Sequence, residues 1–442
     1  MTTQLKKLLV SLSLARLGLT ILLSLVISNG LLAQSTNWVG GTNLLNTAYG
    51  LSSDSDVVDG ATLIVTNGGS LTAGLVNVGP TNRATLTLLT NAAITVQQLL
   101  ATNVIIGGVT NSILNFGASG TGSGTLITSN GTGSSYAFKL LLASNAWTFN
   151  GNWAMNGGTN LFSNAATNGG ASQNNSTPIY VGNGFNNAQV SVNTNAVLWL
   201  AVPTNSMATN IPSLIIGYGN ATNNVVTINN GTVIITNNIP FSAPTLKPGQ
   251  NIPITLGSSV GSFGNQLLVT NGARVFLACR RDAGVQGLYV GSAGSGNSVI
   301  VAGTNAAGQK AMINMFTERL QTCNNVAGTN NWVRVDQGGV ISNATIMMYN
   351  NFGYLYITNG GQFYAGGITI GRIGFNSGLV VGGADSAGNK ALLYSAANTM
   401  VIGGGSVSVT SGTNPGTNCF ARVEAGGLIT NVTSINSNLL SS

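Results

Sequence analysis

A 17-residue segment that recurs along the chain limits the folds open to this sequence more than any other feature. Leu63–Gly79 reads LIVTNGGSLTAGLVNVG and aligns without a gap to Leu355–Gly371, LYITNGGQFYAGGITIG. A third copy begins at Leu267 as LLVTNGARVFLA and reaches its closing Val-Gly pair at Gly291 after an insertion. Sequence periods of roughly 20–50 residues are typical of solenoids, propellers and other repeat arrays.

Within one copy, short apolar alternations are separated by residues that favour turns. The first alternation ends at Val65 and is followed by Thr66-Asn67-Gly68-Gly69, where Asn and Gly tolerate the positive φ of a tight turn. A second alternation ends at Val78 and a third reaches Leu88. The alternation predicts strands, and the steps of 13 and 10 residues between Val65, Val78 and Leu88 give a cycle of about 23 residues.

A parallel β-helix accounts for this period better than the other repeat folds. A propeller blade needs roughly 40 residues and four antiparallel strands, and the regular Leu and Asn ladder of leucine-rich repeats is missing. We therefore predict an all-β protein whose residues 63–433 form a right-handed parallel β-helix, or β-solenoid. Residues 34–442 contain enough chain for roughly 18 coils of 23 residues, which corresponds to a rod of roughly 85 Å.

The low charge of the chain fits a stacked coil. Charged residues make up 5% of the sequence and hydrophobic residues 43%, whereas about 25% of the residues in ordinary soluble domains are charged. A charge repeated at one position of the coil would lie about 5 Å from its copies, and like charges at that distance are destabilising. Asn, Thr and Ser avoid this repulsion, and we expect them to form hydrogen-bonded ladders along the rod.

The N-terminal residues have the pattern of a secretory signal peptide. Lys6 and Lys7 precede an apolar run, and small residues ending at Ala33 precede Gln34, so we predict cleavage after residue 33. The alternative is a membrane anchor, but Arg16 shortens the apolar run below the length that spans roughly 30 Å of hydrocarbon. We expect a mature protein that is secreted or held at the cell surface and has no transmembrane segment.

Cleavage of the signal peptide would lower the net charge of the chain, and the basic residues that remain are not clustered in the sequence. Removal of three basic residues leaves 12 Lys and Arg against 8 Asp and Glu, so the net charge falls from +7 to about +4. Nucleic-acid binding needs basic residues gathered on one face, whereas these are scattered, and we exclude that class of partner.

Several segments depart from the coil pattern. We predict an N-terminal capping segment at 34–62, a C-terminal tail at 434–442, and a helical turn in MINMFTERLQT at 312–322. Protruding loops are predicted at 163–178, 239–256 and 277–287, the second because four prolines cannot donate to a strand ladder.

The sequence suggests residues that could contact a ligand or a metal ion, and no catalytic residue is predicted. The chain contains no His, which removes Ser/His/Asp triads and histidine metal sites. Trp147 and Trp153 lie in an aromatic segment that either faces solvent as a platform for sugar rings or packs inside the coil. Arg280 and Arg281 form the only tight basic pair after the signal peptide, either an anion contact or part of a solvated loop.

The acidic residues and cysteines suggest little chemistry. Asp54, Asp56 and Asp59 form the only acidic cluster, which is either a weak Ca²⁺ site or a solvated turn, and no other cofactor is expected. The three cysteines, Cys279, Cys323 and Cys419, are far apart in sequence. An odd number excludes a complete disulfide framework, which leaves one bridge or three buried thiols.

Units with Thr-Asn-Gly-Gly followed by apolar-x-apolar-Gly resemble the β-strand repeats of bacterial autotransporter passenger domains and related exported adhesin-like proteins. The resemblance covers most of 60–433 and implies surface display and a role in adhesion or matrix building, with cell-surface glycans, matrix glycans or like rods as partners. The tail differs from the anchoring segments of those proteins, so we expect release, retention by a partner, or a longer repeat protein. The favoured function is a non-enzymatic structural or adhesive protein. The alternative is a carbohydrate-active enzyme or a glycan-binding module.

Overall fold

The chain folds into a parallel β-solenoid in a computed structural model. The structure describes residues 36–51, 54–66, 69–78, 84–88, 93–101, 113–116, 125–128, 138–142, 147–149, 152–164, 178–201, 213–236, 253–278, 286–316, 318–323, 327–348, 351–372, 374–397, 399–403 and 417–437. Every regular element in these ranges is a β-strand. None of the described residues belongs to a helix that is long and apolar enough to cross a membrane.

The strands follow one another with short connections for most of the chain. In chain order they are β1 Asn37–Val39, β2 Thr42–Leu45, β3 Ala48–Tyr49, β4 Ser55–Asp59, β5 Thr62–Val65, β6 Ser70–Val78, β7 Thr85–Leu88, β8 Ala93–Ala101, β9 Ile113–Phe116, β10 Thr125–Thr128, β11 Phe138–Leu142, β12 Trp147–Phe149, β13 Asn152–Met155, β14 Gly158–Asn164, β15 Pro178–Asn183, β16 Gln189–Val192, β17 Ala196–Ala201, β18 Ser213–Tyr218, β19 Val225–Asn229, β20 Thr232–Thr236, β21 Ile254–Leu256, β22 Gln266–Thr270, β23 Arg274–Ala278, β24 Gln286–Val290, β25 Ser298–Ala302, β26 Met312–Asn314, β27 Arg319–Thr322, β28 Asn331–Asp336, β29 Val340–Met348, β30 Gly353–Thr358, β31 Gln362–Ile370, β32 Gly378–Gly382, β33 Ala391–Ser395, β34 Thr399–Ile402, β35 Phe420–Val423, β36 Gly427–Thr430 and β37 Ser434–Ser437.

Parallel pairing arranges these strands in three faces. Face 1 contains β1, β4, β6, β8, β11, β14, β17, β20, β23, β26, β29, β31, β33 and β36. Face 2 contains β2, β5, β7, β9, β12, β15, β18, β21, β24, β27, β29, β31, β34 and β37. Face 3 contains β3, β6, β8, β10, β13, β16, β19, β22, β25, β28, β30, β32 and β35. The long strands β6, β8, β29 and β31 bend around a corner and belong to two faces, so the chain visits the faces in a fixed order and the predicted parallel β-helix is confirmed.

Alternate residues fill the bore of the solenoid in many of the described strands. In β19 and β22 the burial alternates in the same phase, and Val226, Ile228, Leu267 and Val269 are fully buried. Parallel register places each of these residues directly over its equivalent in the next coil. Two columns of aliphatic contacts therefore continue from β19 to β22, because both strands turn the same phase of their alternation inward.

Asparagine side chains form a buried ladder at the corner before face 3. Asn224, Asn265, Asn297 and Asn331 are fully buried, and each Nδ2 donates to the Oδ1 of the next at 2.8, 2.9 and 3.0 Å. The same Oδ1 atoms also accept backbone N–H bonds. A glycine with positive φ lies against each of them. At Gly291, for example, φ is 72° and a Cβ would lie 2.0 Å from Nδ2 of Asn331. Each asparagine of the predicted ladder therefore packs against a corner glycine, and a side chain at that glycine would collide with the asparagine.

Coil length varies more than the sequence repeat predicts. Thr62 pairs with Thr85, which matches the predicted period, whereas Thr232 pairs with Arg274 after a coil that is nearly twice as long. The described strands therefore complete about 14 coils rather than 18, which corresponds to a rod of roughly 67 Å. The right-handed winding stays a prediction.

Most of the extra residues enter at one corner, between faces 1 and 2. The three predicted loops, 163–178, 239–256 and 277–287, cover the connections from β14 to β15, from β20 to β21 and from β23 to β24 and also overlap the ends of these strands. Their central residues 165–177, 239–252 and 279–285 lie outside the described residues. The predicted boundaries are too wide, because Ile254–Leu256 is a strand whose residues are buried. Pro253 is buried as well, at the start of this strand.

The other segment predictions also need correction. The capping segment 34–62 contains β1 to β4, which pair with the following coil and so form the first turns of the solenoid. The tail 434–442 begins with β37, which pairs with β34. The expected helical turn at 312–322 is instead β26 and β27, because Ile313 and Met315 alternate into the bore with no exposed fraction.

Candidate binding surface

The outer side of face 3 carries a group of aromatic side chains near the C-terminal end of the described rod. In β28, Val333 and Val335 point into the bore and are fully buried, so the alternation turns Trp332 and Arg334 outward. Trp332 pairs with Tyr354 and Arg334 with Tyr356 on β30. Two adjacent coils thus place four large side chains on one flat sheet surface.

Aromatic rings hold the guanidinium group of Arg334. Its Cζ lies 5.4 Å from the ring centroid of Trp332 and 5.6 Å from that of Tyr356, which are cation–π distances. The rings of Tyr354 and Tyr356 stack with centroids 6.1 Å apart and planes 22° apart. Burial, followed by the neighbouring Tyr356 and Cys323, raises the pKa of Tyr354. Its phenol therefore remains an uncharged hydrogen-bonding group at neutral pH.

Phe420 extends the same row of outward positions. Tyr354 pairs with Gly378, which pairs with Phe420 on β35. A Cβ at Gly378 would lie 2.4 Å from Cζ of Phe420, so the ring lies on the glycine and occupies the space a side chain there would fill. Phe420 remains 40% exposed. We call Trp332, Arg334, Tyr354, Tyr356 and Phe420 the aromatic–arginine surface.

Acidic side chains border this surface without forming a catalytic pair. Asp336 ends β28 and occupies the column that continues through Thr358 and Gly382 to Glu424, three coils away. Three coil spacings amount to about 14 Å, beyond the roughly 5–9.5 Å that separate the two carboxylates of glycosidases. Glu424 forms a salt bridge of 2.6 Å with Arg422 on its own strand. Asp336 and Glu424 are therefore too far apart to act on one glycosidic bond.

Trp153, one of the two predicted platform tryptophans, is part of the core. It is 3% exposed, and its ring lies 5.7 Å from that of Phe149 and 5.8 Å from that of Phe162. The sugar-platform interpretation is therefore wrong for Trp153, because its position on β13 is in register with the inward Val190 of β16. Trp147 lies on β12 of face 2, where its backbone pairs with that of Ile179, and the platform hypothesis for Trp147 stays a prediction.

The three predicted calcium ligands do not converge. Asp56 and Asp59 lie on β4 with an odd spacing, so the strand turns Asp56 into the bore and leaves Asp59 half-buried on the outside. Asp54 is also buried, and its Oδ2 accepts the N–H of Leu51 at 2.6 Å. In the part of the chain that is described, no group of three His, Cys, Asp or Glu side chains is placed to hold a metal ion. The calcium hypothesis thus has no geometric support at this strand.

Asp56 is instead a buried acid with a perturbed pKa. Burial, opposed by a hydrogen bond from the N–H of Thr36 and assisted by the charge of Asp54, raises its pKa to about 6. The donor nitrogen of Thr36 lies 3.2 Å from Oδ1 of Asp56. Asp56 occupies the position of an aliphatic residue, since it pairs with the fully buried Val76 in the next coil.

The remaining candidates lie partly outside the described residues. Arg280, Arg281 and Cys279 all fall there, so the predicted anion contact stays a prediction. Cys323 is a buried free thiol and Cys419 a half-buried one. Burial raises the pKa of both, and a hydrogen bond from Asn331 opposes the rise at Cys323, so these thiols are protonated at neutral pH.

Sequence reasoning missed the aromatic–arginine surface because its members lie on three separate strands that are distant in sequence. One signal was available: WVRVD, YLYIT and FARVE share the alternation of face 3 and carry aromatic residues at the same outward position. Comparison with known proteins adds nothing to this surface, because no family model, no curated protein and no solved structure matches the chain.

Proposed function

We propose that the protein is an exported, non-enzymatic rod that serves as an adhesive or structural component outside the cell. The observation that carries this proposal is the continuous stacking of about 14 coils around one bore of buried side chains. Such a coil holds its outward side chains at fixed spacing along the rod. A rigid scaffold that displays residues in rows suits attachment to extended polymers better than it suits turnover of a small substrate.

A second candidate function, glycan binding, is favoured by a specific observation. The aromatic–arginine surface gathers four rings on solvent-facing positions of one sheet face, where aromatic side chains combine apolar contact area with polar groups. The binding role is compatible with the scaffold role, since a row of binding residues on a rod provides adhesion. The proposal includes display at the cell surface, because the Thr-Asn-Gly-Gly repeats resemble those of autotransporter passenger domains.

Attachment and turnover assays on the mature chain, residues 34–442, test this function. Beads coated with the protein should attach to a subset of immobilised polysaccharides, and soluble reducing ends should not accumulate during prolonged incubation with the same polymers. Release of reducing ends at a rate above that of a heat-unfolded control would replace the adhesive function with an enzymatic one. Failure of the beads to attach to any surface would remove the adhesive role.

Export has its own test. Expression of the full chain in a bacterium with a Sec pathway, followed by mass spectrometry of the extracellular fraction, should give a protein whose first residue is Gln34. Recovery of the intact chain from the cytoplasm, with Met1 or Thr2 as its first residue, would contradict the signal-peptide prediction.

A further inference from the structure

We propose that the aromatic–arginine surface binds a polysaccharide that carries carboxylate groups, such as a polyuronate. Arg334 contacts a carboxylate, and Trp332, Tyr354 and Tyr356 pack against the sugar rings. This inference rests on the proposed adhesive function and names the class of ligand that one surface of the rod recognises.

Arg334 has the properties of an anion receptor. Its side chain is exposed, and among the described residues no carboxylate forms a salt bridge with it; the salt bridge on this face joins Arg422 to Glu424. The flanking rings of Trp332 and Tyr356 restrict its rotamers, so less conformational entropy is lost when it binds a ligand. A guanidinium group presents a planar fork of donors that matches a carboxylate in a bidentate arrangement.

The rings beside Arg334 suit a chain of sugars. Successive coils place equivalent positions about 4.8 Å apart, and alternate residues of one strand are about 7 Å apart. Trp332 and Tyr354 are therefore close enough to contact neighbouring rings of one extended polymer that runs along the rod. Phe420 continues the row over Gly378. Apolar C–H faces of pyranose rings pack on these aromatic faces, while hydroxyl groups remain free to bond with the tyrosine phenols.

The local charge favours a dispersed carboxylate over a dense polyanion. Arg422 and Glu424 neutralise each other at 2.6 Å, and the carboxylate of Asp336 already accepts the N–H of Gln337 at 2.9 Å. Arg334 is the single basic member of the aromatic–arginine surface and has an acidic neighbour, Asp336, two residues along the same strand. Nucleic acid binding instead requires many Lys and Arg contacts to phosphates. Single-stranded DNA is therefore a competitor to test and not the expected ligand.

Calorimetric titration with polygalacturonate, compared with the same polymer after full methyl esterification, tests the inference. The wild-type chain should bind the acidic form and bind the ester at least about tenfold more weakly, since a charge-assisted hydrogen bond contributes roughly 1.5–3 kcal/mol. Arg334→Gln should lose a similar factor on the acidic form, and Arg334→Lys should fall between the two. Trp332→Ala should weaken binding to both polymers.

A matched control exists on face 1. Tyr364 and Tyr394 form an exposed ring pair, with centroids 6.2 Å apart and exposed fractions of 37% and 38%. The double substitution Tyr364→Ala, Tyr394→Ala removes comparable aromatic area and should leave binding unchanged. Melting temperatures of all variants establish that each one is folded.

Several outcomes would overturn the inference. These are equal binding of acid and ester, no loss in Arg334→Gln, an equal loss in the face 1 control, stronger binding of single-stranded DNA, or no binding of polygalacturonate by the wild-type chain. If coated beads still attach to other polysaccharides in any of these cases, the adhesive function stands and only the assignment of this surface fails. If no attachment occurs at all, both fail together.

Discussion

Replacement of one ladder asparagine, Asn265→Ala, should destabilise the rod far more than loss of an exposed asparagine. Oδ1 of Asn265 accepts bonds from N and Nδ2 of Asn224 at 3.1 and 2.8 Å. Its Nδ2 donates to Oδ1 of Asn297 at 2.9 Å and to the carbonyl of Ala221 at 3.3 Å. All of these bonds are buried, and a buried donor left without an acceptor costs roughly 1–3 kcal/mol. Because two donors of Asn224 lose their acceptor, we expect a loss of about 2–5 kcal/mol.

Asn229→Ala provides the matched control. Oδ1 of Asn229 accepts one bond, from Nδ2 of Asn271 at 2.9 Å, in an exposed position. Water replaces that acceptor when the side chain is removed, so the expected cost is about 0.5 kcal/mol. Both substitutions remove the same atoms, so the difference between their unfolding free energies measures the effect of burying the hydrogen bonds.

Urea unfolding monitored by circular dichroism measures the two effects, with equal m values as the condition for comparing midpoints. Stacked coils need not unfold in a single step, so hydrogen exchange of peptides that contain Asn224 serves as a local readout. Its amide should exchange faster in Asn265→Ala than in the wild-type chain. Equal midpoints for Asn265→Ala and Asn229→Ala, with unchanged exchange at Asn224, would refute the role assigned to the ladder.

Three further predictions concern the stability of the folded chain. Asp56 has a folded pKa of about 6 against an ordinary value of 3.8, so the folded state binds more protons between these values. The free energy of unfolding should thus fall by about 2 kcal/mol as pH rises from 4 to 7, and thermal melts of Asp56→Asn should lose this dependence. Trp153→Ala should cost about 3–5 kcal/mol in unfolding experiments and leave polygalacturonate binding unchanged in the fraction that remains folded. Gly291→Ala should lower the melting temperature more than Gly308→Ala; both have positive φ, but only at Gly291 would a Cβ meet a neighbour.

The buried strand positions and the corner glycines could be predicted from the sequence because they recur in each copy of the repeat. Val78, which ends the second apolar alternation of the repeat, is fully buried, and so is Ile216 on β18. The glycine that follows Ile216 has a φ of 78°, as the turn pattern predicts. These positions obey local rules, namely alternation along a strand and positive φ at a corner, which are visible within one copy of the repeat.

Coil number could not be predicted, because the two gap-free template segments come from short coils. Tyr354 pairs with Gly378 across one of these tight coils, whereas Gln189 pairs with Val225 across a coil that is half as long again. An insertion at a corner leaves the strands on either side unchanged in pattern, so sequence periodicity does not count it. Trp153 was ambiguous for a similar reason: aromatic residues fit either side of a strand, and only the register with Val190 places it in the bore.

The register between successive coils also determines which outward residues come together to form the proposed binding surface. Trp332 and Tyr354 belong to strands in successive coils, and nothing in either strand alone distinguishes a binding residue from any other residue on the surface. Trp332, Arg334, Tyr354 and Tyr356 lie on face 3 in two successive coils, where paired residues are 22 positions apart in sequence. They are away from the corner between faces 1 and 2 that receives the predicted loops. A long polymer needs such an open, evenly spaced surface. The same close stacking that lets aliphatic side chains fill the bore therefore brings outward side chains near enough to act on one ligand, so the folding pattern and the proposed binding role have a single physical origin.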